Sequence, residues 1–243
     1  MTVRNPEFLS TGCESLDRML GGGIQRGEVT LIYGEPGTGK TSLATQCALR
    51  CARDGLKTIF IDSDNTFSLN RLAQMAGNEL DKVSPLIFIF KPQSFHEQSL
   101  LIESLESYNL RSIVLIIVDT ITSLYSAELG STEKVFALNM KLNRQLAYLK
   151  ELARSYNTSV LLISQVRSMV QGKPDEKKIE PVATRVLKFW AQDIINLEAT
   201  SEPTIKEATL ETSLNHGDNV TCFYSLDRSG LVNINREHQP MNL

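Results

Sequence analysis

The sequence has no excess of basic residues, because 25 lysines and arginines stand against 28 aspartates and glutamates, for a net charge of −3. This balance argues against a surface covered in positive charge, so any contact with nucleic acid must be local. A long apolar run is also missing, since the longest, residues 113–118, has only the length of a strand. No N-terminal signal is visible. We therefore expect a cytoplasmic protein that has no membrane partner.

Cysteines are few and unpaired. The four thiols form no C-x-x-C pair and have no histidine at zinc spacing, so we predict that they are reduced and mostly buried. Internal repeats and low-complexity segments are absent as well. With 42% hydrophobic residues, the chain can bury a substantial core, and we expect one domain that spans residues 1–243.

A glycine-rich motif, GEPGTGKT, follows the apolar run 29–33 and precedes helix-forming residues. It matches G-x-x-x-x-G-K-[ST], in which glycines let successive N–H groups turn towards a phosphate at a helix N-terminus. Lys40 would reach the β and γ phosphates of ATP, and Thr41 would ligate Mg²⁺. The alternative is an ordinary Gly/Pro turn. The predicted nucleotide-binding residues are Gly34, Glu35, Pro36, Gly37, Thr38, Gly39, Lys40, Thr41 and Ser42.

Apolar strands and helices alternate through the first two thirds of the chain. The predicted strands are 29–33, 58–62, 86–90, 112–118 and 159–163, and the predicted helices are 14–20, 40–53, 69–76, 95–108 and 133–156. This alternation favours an α/β fold with a mostly parallel sheet flanked by helices. Segments 193–198, 207–214, 220–226 and 231–234 surround turn signals and predict C-terminal antiparallel hairpins. The polar segment 168–181 lacks periodicity and is predicted to be a loop.

Three polar residues follow predicted strands, where ligands of doubly wound sheets bind. Asp119 ends the run 113–118 and has the form of a Walker B aspartate beside Mg²⁺. Asp64 could orient or deprotonate the attacking water, and Gln165 could sense the γ-phosphate. We assign catalytic roles to Asp64, Lys40 and Gln165, and metal ligation to Thr41 and Asp119. The alternative for each strand-end residue is a turn-forming or capping side chain.

Four blocks resemble the RecA/RadA recombinases in order and spacing: GEPGTGKT, FIDSDNTFSLNRL, LIIVDTITSLY and LLISQV. The resemblance runs from about Phe8 to Ile234 and implies a RecA-like P-loop ATPase core. Within the family, the sequence is similar to the archaeal RadB group of core-only paralogues. The core block STGCESLD begins at Ser10, so we expect no N-terminal helix-hairpin-helix domain. Asp64 stands where the family has a glutamate that positions the hydrolytic water. A carboxylate withdrawn by about 1 Å can cost on the order of a hundredfold in rate, so we expect slow hydrolysis.

The resemblance also implies a DNA-binding loop after Gln165. Arg167, Lys173, Lys177, Lys178 and Arg185 could contact phosphates there. Asp175, Glu176 and Glu180 offset these charges, and no aromatic residue interleaves them, so a solvated charged loop is the open alternative.

The resemblance as a whole implies an ATP- and DNA-binding accessory protein in homologous recombination and DNA repair, with weak ATPase activity. Its implied partners are single-stranded or branched DNA and a recombinase or junction nuclease, with self-association left open. One alternative is a KaiC-like signalling ATPase that controls protein assembly without DNA. Another is an interaction module that keeps ATP as a structural ligand.

Overall fold

The computed structural model describes residues 7–130, 132–170, 177–213 and 219–234. The strands are β1 (Phe8–Leu9), β2 (Ile24–Gln25), β3 (Val29–Gly34), β4 (Lys57–Asp62), β5 (Ile87–Phe90), β6 (Ile113–Asp119), β7 (Ser159–Ser164), β8 (Val166–Val170), β9 (Lys177–Pro181), β10 (Asp193–Ala199), β11 (Ile205–Thr212), β12 (Val220–Asp227) and β13 (Gly230–Asn233). The α-helices are α1 (Glu14–Met19), α2 (Lys40–Arg53), α3 (Leu69–Ala76), α4 (Leu80–Val83), α5 (Phe95–Ser104), α6 (Ser123–Ala127), α7 (Thr132–Tyr156) and α8 (Thr184–Trp190).

The main sheet has the strand order β13-β12-β11-β10-β3-β7-β6-β4-β5. From β10 to β5 every neighbouring pair is parallel, whereas β10 to β13 form antiparallel pairs. Strands β3, β6 and β7 are buried along their whole length, which explains why they are apolar without alternation. The predicted α/β class, the mostly parallel sheet and the C-terminal hairpins are confirmed.

Alternate residues of each central strand enter two separate cores. In β6, Leu115 and Ile117 join one core, which packs against α1 to α4, whereas Ile116 and Val118 join the other, which packs against α5 to α8. This period of two follows from the pleat of a strand. The sheet is therefore covered by helices on both faces, and its strand ends are left free to form a site.

The predicted loop 168–181 is wrong in part, because β8 and β9 pair as an antiparallel ribbon in which Arg167 lies opposite Glu180. The structure describes only the backbone of residues 167–170 and 177–180. The sequence did not predict this ribbon because its residues carry both charge signs and show no apolar pattern. A ribbon outside the main sheet needs no apolar face. Helix α8 was also missed, because it is short and rich in branched and aromatic residues.

Helix α7 shows the expected helical periodicity. Leu138, Leu142 and Leu149 are fully or almost fully buried in the core, whereas Phe136 and Met140 are 69% and 60% exposed. Polar side chains occur along the whole length of α7. No helix in the described ranges is both long and apolar enough to cross a membrane.

Candidate nucleotide site

The phosphate motif forms the tight connection from β3 to α2. Gly34 has φ 151° and contacts β10 so closely that a Cβ would lie 2.0 Å from the carbonyl oxygen of Leu197. Gly39 has φ 96° and forms the N-cap of α2. Both positions therefore require glycine, and the loop wraps around the N-terminus of a long helix, where N–H groups and the helix dipole favour an anion.

Lys40 extends back across this loop. Its Nζ donates 2.7 Å hydrogen bonds to the carbonyl oxygens of Gly34 and Glu35. Burial lowers the pKa of Lys40, and the carboxylates of Asp119, Asp64 and Glu35 oppose that shift. A single ammonium group is therefore held over the loop, where phosphate oxygens would be stabilised.

The C-terminal hairpin supports the same loop from the side. Tyr224 on β12 donates a 2.7 Å hydrogen bond to the carbonyl oxygen of Thr38. Leu226 lies so close to Gly39 that an added Cβ would come within 2.8 Å of its side chain. The Gln46 side chain on α2 accepts from the N–H of Leu231 at 2.6 Å and donates to its carbonyl oxygen at 3.1 Å. Residues about 190 positions away in sequence thus fix the shape of the loop.

Asp119, at the end of β6, is 1% exposed. Neither carboxylate oxygen has a hydrogen bond of good geometry to any residue that the structure describes. Burial raises the pKa of Asp119 to about 6; Thr41 and Lys40 lower it in part, and Asp64 and Asp62 add to the rise. A buried carboxylate whose charge its neighbours offset only in part is costly, so the site is electrostatically suited to a cation.

Asp64 is placed by a turn that its neighbours build. The carboxylate of Asp62 accepts from the N–H groups of Thr66 at 2.9 Å and Phe67 at 3.1 Å, and pairs with Lys91 at 3.1 Å. Ser63 donates its N–H to the carbonyl oxygen of Asp119 at 2.8 Å. These bonds fix the chain on both sides of Asp64, so its carboxylate points towards the strand ends.

Gln165 and Thr120 face Asp64 across the strand ends. Gln165 Nε2 lies 3.5 Å from one carboxylate oxygen of Asp64, and Thr120 Oγ1 lies 3.4 Å from the other. The carbonyl oxygen of Gln165 accepts from the N–H of Val182, at the end of the ribbon, at 3.0 Å. Gln165 therefore connects the candidate site with the ribbon that follows it.

These groups line one cleft of about 560 Å³. Its lining contains seven of the predicted nucleotide-binding residues together with Asp64, Asp119 and Gln165. Thr38, which was also predicted, does not line the cleft, because its side chain is buried and donates a 2.8 Å hydrogen bond to the carbonyl oxygen of Glu35. Thr66, Thr120, Val166 and Leu226 were missed. The threonines adjoin predicted strand ends, which is a usable signal, but nothing in the sequence near Leu226 points to the loop. The lining residues are Gly34, Pro36, Gly37, Gly39, Lys40, Thr41, Ser42, Asp64, Thr66, Asp119, Thr120, Gln165, Val166 and Leu226.

The donor set fits Mg²⁺ carried by a nucleotide. Among the described residues, no three histidine, cysteine or acidic side chains cluster closely enough to hold a metal ion alone. One buried carboxylate, Asp119, and the Thr41 hydroxyl share the cleft with the phosphate loop. Mg²⁺ is commonly bound through one or two such groups together with substrate phosphates.

The described DNA-binding candidates lie on two neighbouring elements, the ribbon and α8. Arg185 is exposed on α8, while Arg167, Lys177 and Lys178 belong to the ribbon. Lys173 lies outside the described residues. The backbone register of β8 and β9 sets Arg167 opposite Glu180.

A phosphate loop on the central strand of a mostly parallel sheet, with a buried aspartate at the end of β6, defines a RecA-like P-loop fold. The chain belongs to the Rad51 family, which it matches over residues 6–201. The resemblance to the RecA/RadA recombinases is thereby confirmed.

Similar proteins agree with this assignment. The DNA repair and recombination protein RadB of Methanosphaera stadtmanae is 37% identical over 199 residues, which cover 81% of this chain and 84% of that protein. RadB of Methanococcus maripaludis is 32% identical over 225 residues, covering 92% of this chain and all of that protein. A crystal structure of the RadB recombinase superposes with a TM-score of 0.78 at 31% identity and covers 93% of this chain and 100% of that one.

Proposed function

We propose that this protein binds Mg²⁺–ATP between the phosphate loop and the end of β6. The observation that carries the proposal is Asp119, a buried carboxylate in the same cleft as Lys40 and Thr41, whose oxygens have no hydrogen bond of good geometry to any described residue. Asp119 and Thr41 would hold Mg²⁺, which when bound neutralises charge on the β and γ phosphates. Lys40 supplies a second positive charge to the same phosphates. ATP and Mg²⁺ are also what the Rad51 family generally binds, which supports the assignment.

Hydrolysis is proposed to be slow. Asp64 is the residue to which we assign the orienting or deprotonation of water, and its contacts to Thr120 and Gln165 are long, at 3.4 and 3.5 Å. The carboxylate therefore stops short of close contact with the groups around it. Catalysis needs positioning to within about an ångström, so the short aspartate side chain limits the rate.

The nucleotide state is proposed to act on the ribbon. Gln165 contacts Asp64 through its side chain and Val182 through its carbonyl oxygen, so one residue touches both the cleft and the base of β9. Bound ATP would favour one arrangement of Gln165 and hence of the ribbon. A switch of this kind needs ATP binding, whereas slow hydrolysis serves only to reset it.

The cellular role that we propose is accessory work in homologous recombination and DNA repair. The names of the similar proteins, DNA repair and recombination proteins, support the repair and recombination part of this proposal. Single-stranded or branched DNA is the proposed ligand of the surface beyond Gln165, and a recombinase or junction nuclease is the proposed protein partner.

Fluorescence anisotropy with labelled single-stranded DNA, with and without Mg²⁺–ATP and at several salt concentrations, tests this proposal. Submicromolar binding that changes with ATP is the expected result. Tight ATP binding without any DNA binding at low salt would instead favour the KaiC-like alternative, an ATPase that controls protein assembly.

A further inference from the structure

Two hydrogen-bonded glutamines are buried between the sheet and the helices α5 and α7. Gln98, on α5, is completely buried, and Gln145, on α7, is 1% exposed. Gln98 Nε2 donates a 2.8 Å hydrogen bond to Gln145 Oε1, and Gln145 Nε2 donates to the hydroxyl of Ser99 at 2.6 Å. Glutamine is seldom fully buried, because each polar atom of its amide then needs a partner. Where those partners are present, the buried network holds the groups that it bonds in one arrangement.

Gln98 joins the ends of two strands. Its Oε1 accepts a 2.7 Å hydrogen bond from the hydroxyl of Ser63, which follows β4. Its Nε2 donates to the carbonyl oxygen of Ile121, shortly after the end of β6, at 3.3 Å. A carbonyl oxygen can only accept, so the bond to Ile121 fixes which way the Gln98 amide points. One side chain thus spans the two chain segments that carry the proposed water-orienting residue and the proposed Mg²⁺ ligand.

The position of Asp64 depends on its neighbours in the chain. Its carboxylate lies 3.4 Å from Thr120 Oγ1 and 3.5 Å from Gln165 Nε2, and both distances are long for a hydrogen bond. The adjacent residue is held more firmly, because Ser63 donates its N–H to the carbonyl oxygen of Asp119 at 2.8 Å and its hydroxyl to α5 at 2.7 Å. The place of the Asp64 carboxylate relative to Asp119 is therefore set largely at Ser63.

We propose that Gln98 is a positioning residue for ATP hydrolysis, which holds Asp64 in register with the Mg²⁺ site through Ser63 and Ile121. The inference rests on the proposed ATP binding and hydrolysis, and it adds the residue on which the placement of Asp64 depends. Gln98 is buried beneath the strand ends and does not line the cleft, so it acts through Ser63 and not on ATP itself. Loss of its amide should displace the carboxylate and leave the phosphate loop unchanged. A displacement of about an ångström can cost on the order of a hundredfold in rate.

The test compares the wild-type full chain with Gln98→Met and Ser63→Ala. Methionine is unbranched and similar in volume to glutamine, so it removes the amide and keeps the packing. Gln145→Met is the matched control, because Gln145 lies in the same buried network and its hydrogen bonds to described residues go to neither Ser63 nor Ile121. Circular dichroism checks the fold of each variant. Should Gln98→Met fail to fold, Ser63→Ala removes one hydroxyl and tests the same link.

Two measurements separate positioning from binding. Single-turnover release of labelled phosphate gives the rate of hydrolysis, and titrations with Mg²⁺–ATP and with Mg²⁺–ADP–aluminium fluoride compare the ground state with a mimic of the transition state. We expect Gln98→Met and Ser63→Ala to lower the rate at least about tenfold and to weaken binding of the mimic by a similar factor, with the ATP affinity unchanged within about twofold. Ser63→Thr keeps the hydroxyl and should retain the wild-type values.

Equal losses of rate in Gln98→Met and Gln145→Met would overturn the inference, because both glutamines would then serve only the core. Wild-type binding of the mimic by Ser63→Ala would also overturn it. A wild-type chain that binds Mg²⁺–ATP but neither hydrolyses it nor binds the mimic more tightly than ADP would refute the positioning role and leave ATP binding intact. Failure of the wild-type chain to bind Mg²⁺–ATP at all would refute the proposed function, and this inference with it.

Discussion

The hydroxyl group of Tyr224 donates a 2.7 Å hydrogen bond to the main-chain carbonyl of Thr38 in the phosphate loop. Tyr224 is fully buried, and this burial raises the pKa of its phenol well above the ordinary value, so the group stays a donor at any physiological pH. The bond joins the C-terminal hairpin to the loop that would hold ATP. Loop shape and hairpin packing are therefore coupled.

Tyr224→Phe should lower both stability and ATP affinity. Removing one hydroxyl leaves the buried carbonyl of Thr38 unpaired, which costs roughly 1–3 kcal/mol. For a chain of this size, that corresponds to a fall in Tm of about 2–12 °C. Differential scanning calorimetry and ATP titration measure the two effects. Tyr108→Phe, at a 43% exposed position, is the control, and equal shifts in the two variants would contradict the coupling.

Lys40→Ala should weaken Mg²⁺–ATP binding by about ten- to a hundredfold, the usual range for a lost hydrogen bond to a charged group. The fold should persist, because the hydrogen bonds of Lys40 to described residues go to carbonyl oxygens of its own loop. Isothermal titration calorimetry gives the affinity, and circular dichroism checks the fold. Lys82→Ala, at an exposed position of α4, is the matched control. Unchanged affinity in the Lys40 variant would refute the assigned phosphate site.

Asp119→Asn should stabilise the nucleotide-free protein at pH 8. Because burial raises the pKa of Asp119 from 3.8 to about 6, the folded state binds a proton more tightly than the unfolded chain does. Stability therefore falls as the pH rises between these values, and at pH 8 the amide would recover up to about 3 kcal/mol. The gain should shrink as the pH drops through 6 towards 4. Melting curves at pH 8 and pH 5 measure it, with Asp54→Asn as an exposed control.

The same substitution should abolish Mg²⁺-dependent ATP binding. In the wild-type chain, Mg²⁺ needs the ionised carboxylate, so affinity for Mg²⁺–ATP should fall below pH 6, by no more than about tenfold per pH unit. Titrations between pH 5 and pH 8 check this. A variant that is less stable at pH 8 and still binds Mg²⁺–ATP would show that Asp119 serves the fold and not a cation.

Asp64→Glu should raise the rate of ATP hydrolysis by about ten- to a hundredfold, because one more methylene moves the carboxylate forward by roughly an ångström. Phosphate release under saturating Mg²⁺–ATP measures the turnover, and ATP affinity should change little. Asp81→Glu on α4 is the control. Turnover that stays at zero would favour the interaction module, in which ATP is only a structural ligand.

Replacing the ribbon-segment lysines 173, 177 and 178 by glutamine should flatten the salt dependence of DNA binding. If all three contact phosphates, the slope of log affinity against log salt should decrease by up to roughly two to three. Anisotropy at four or more salt concentrations gives the slope. The matched control replaces three lysines remote from the ribbon, which are Lys57, Lys82 and Lys206. An unchanged slope would remove the ribbon from the DNA-binding surface.

The strand ends of the candidate site were predictable from the sequence. Asp64, Asp119 and Gln165 each follow an apolar run, and parallel strands of one sheet bring such positions to the same edge. The phosphate loop was predictable for a similar reason, since a strand, a glycine-rich turn and a helix start are local features. Their placement in a single cleft follows from the strand order.

The residues of the C-terminal hairpin that contact the phosphate loop were not predictable from the sequence. Tyr224 and Leu226 look like ordinary alternating residues of a hairpin, and only the packing of β12 beside the phosphate loop gives them a role. The β8–β9 ribbon was missed because its mixed charges show no alternation, and helix α8 was missed because seven residues are too few to show a clear helical period. Long-range packing, which a local pattern does not encode, decides these parts of the site.

The pair of hydrogen bonds between Gln46 and Leu231 has a consequence for synthesis on the ribosome. The phosphate loop and its helix emerge early, but Leu231, to which Gln46 is hydrogen-bonded, is synthesised 185 residues after Gln46. Contacts so distant in sequence form late, after the loop between them has closed. A nascent chain that has not yet reached β13 should therefore hold ATP poorly, and ATP added during translation should protect only finished chains from protease.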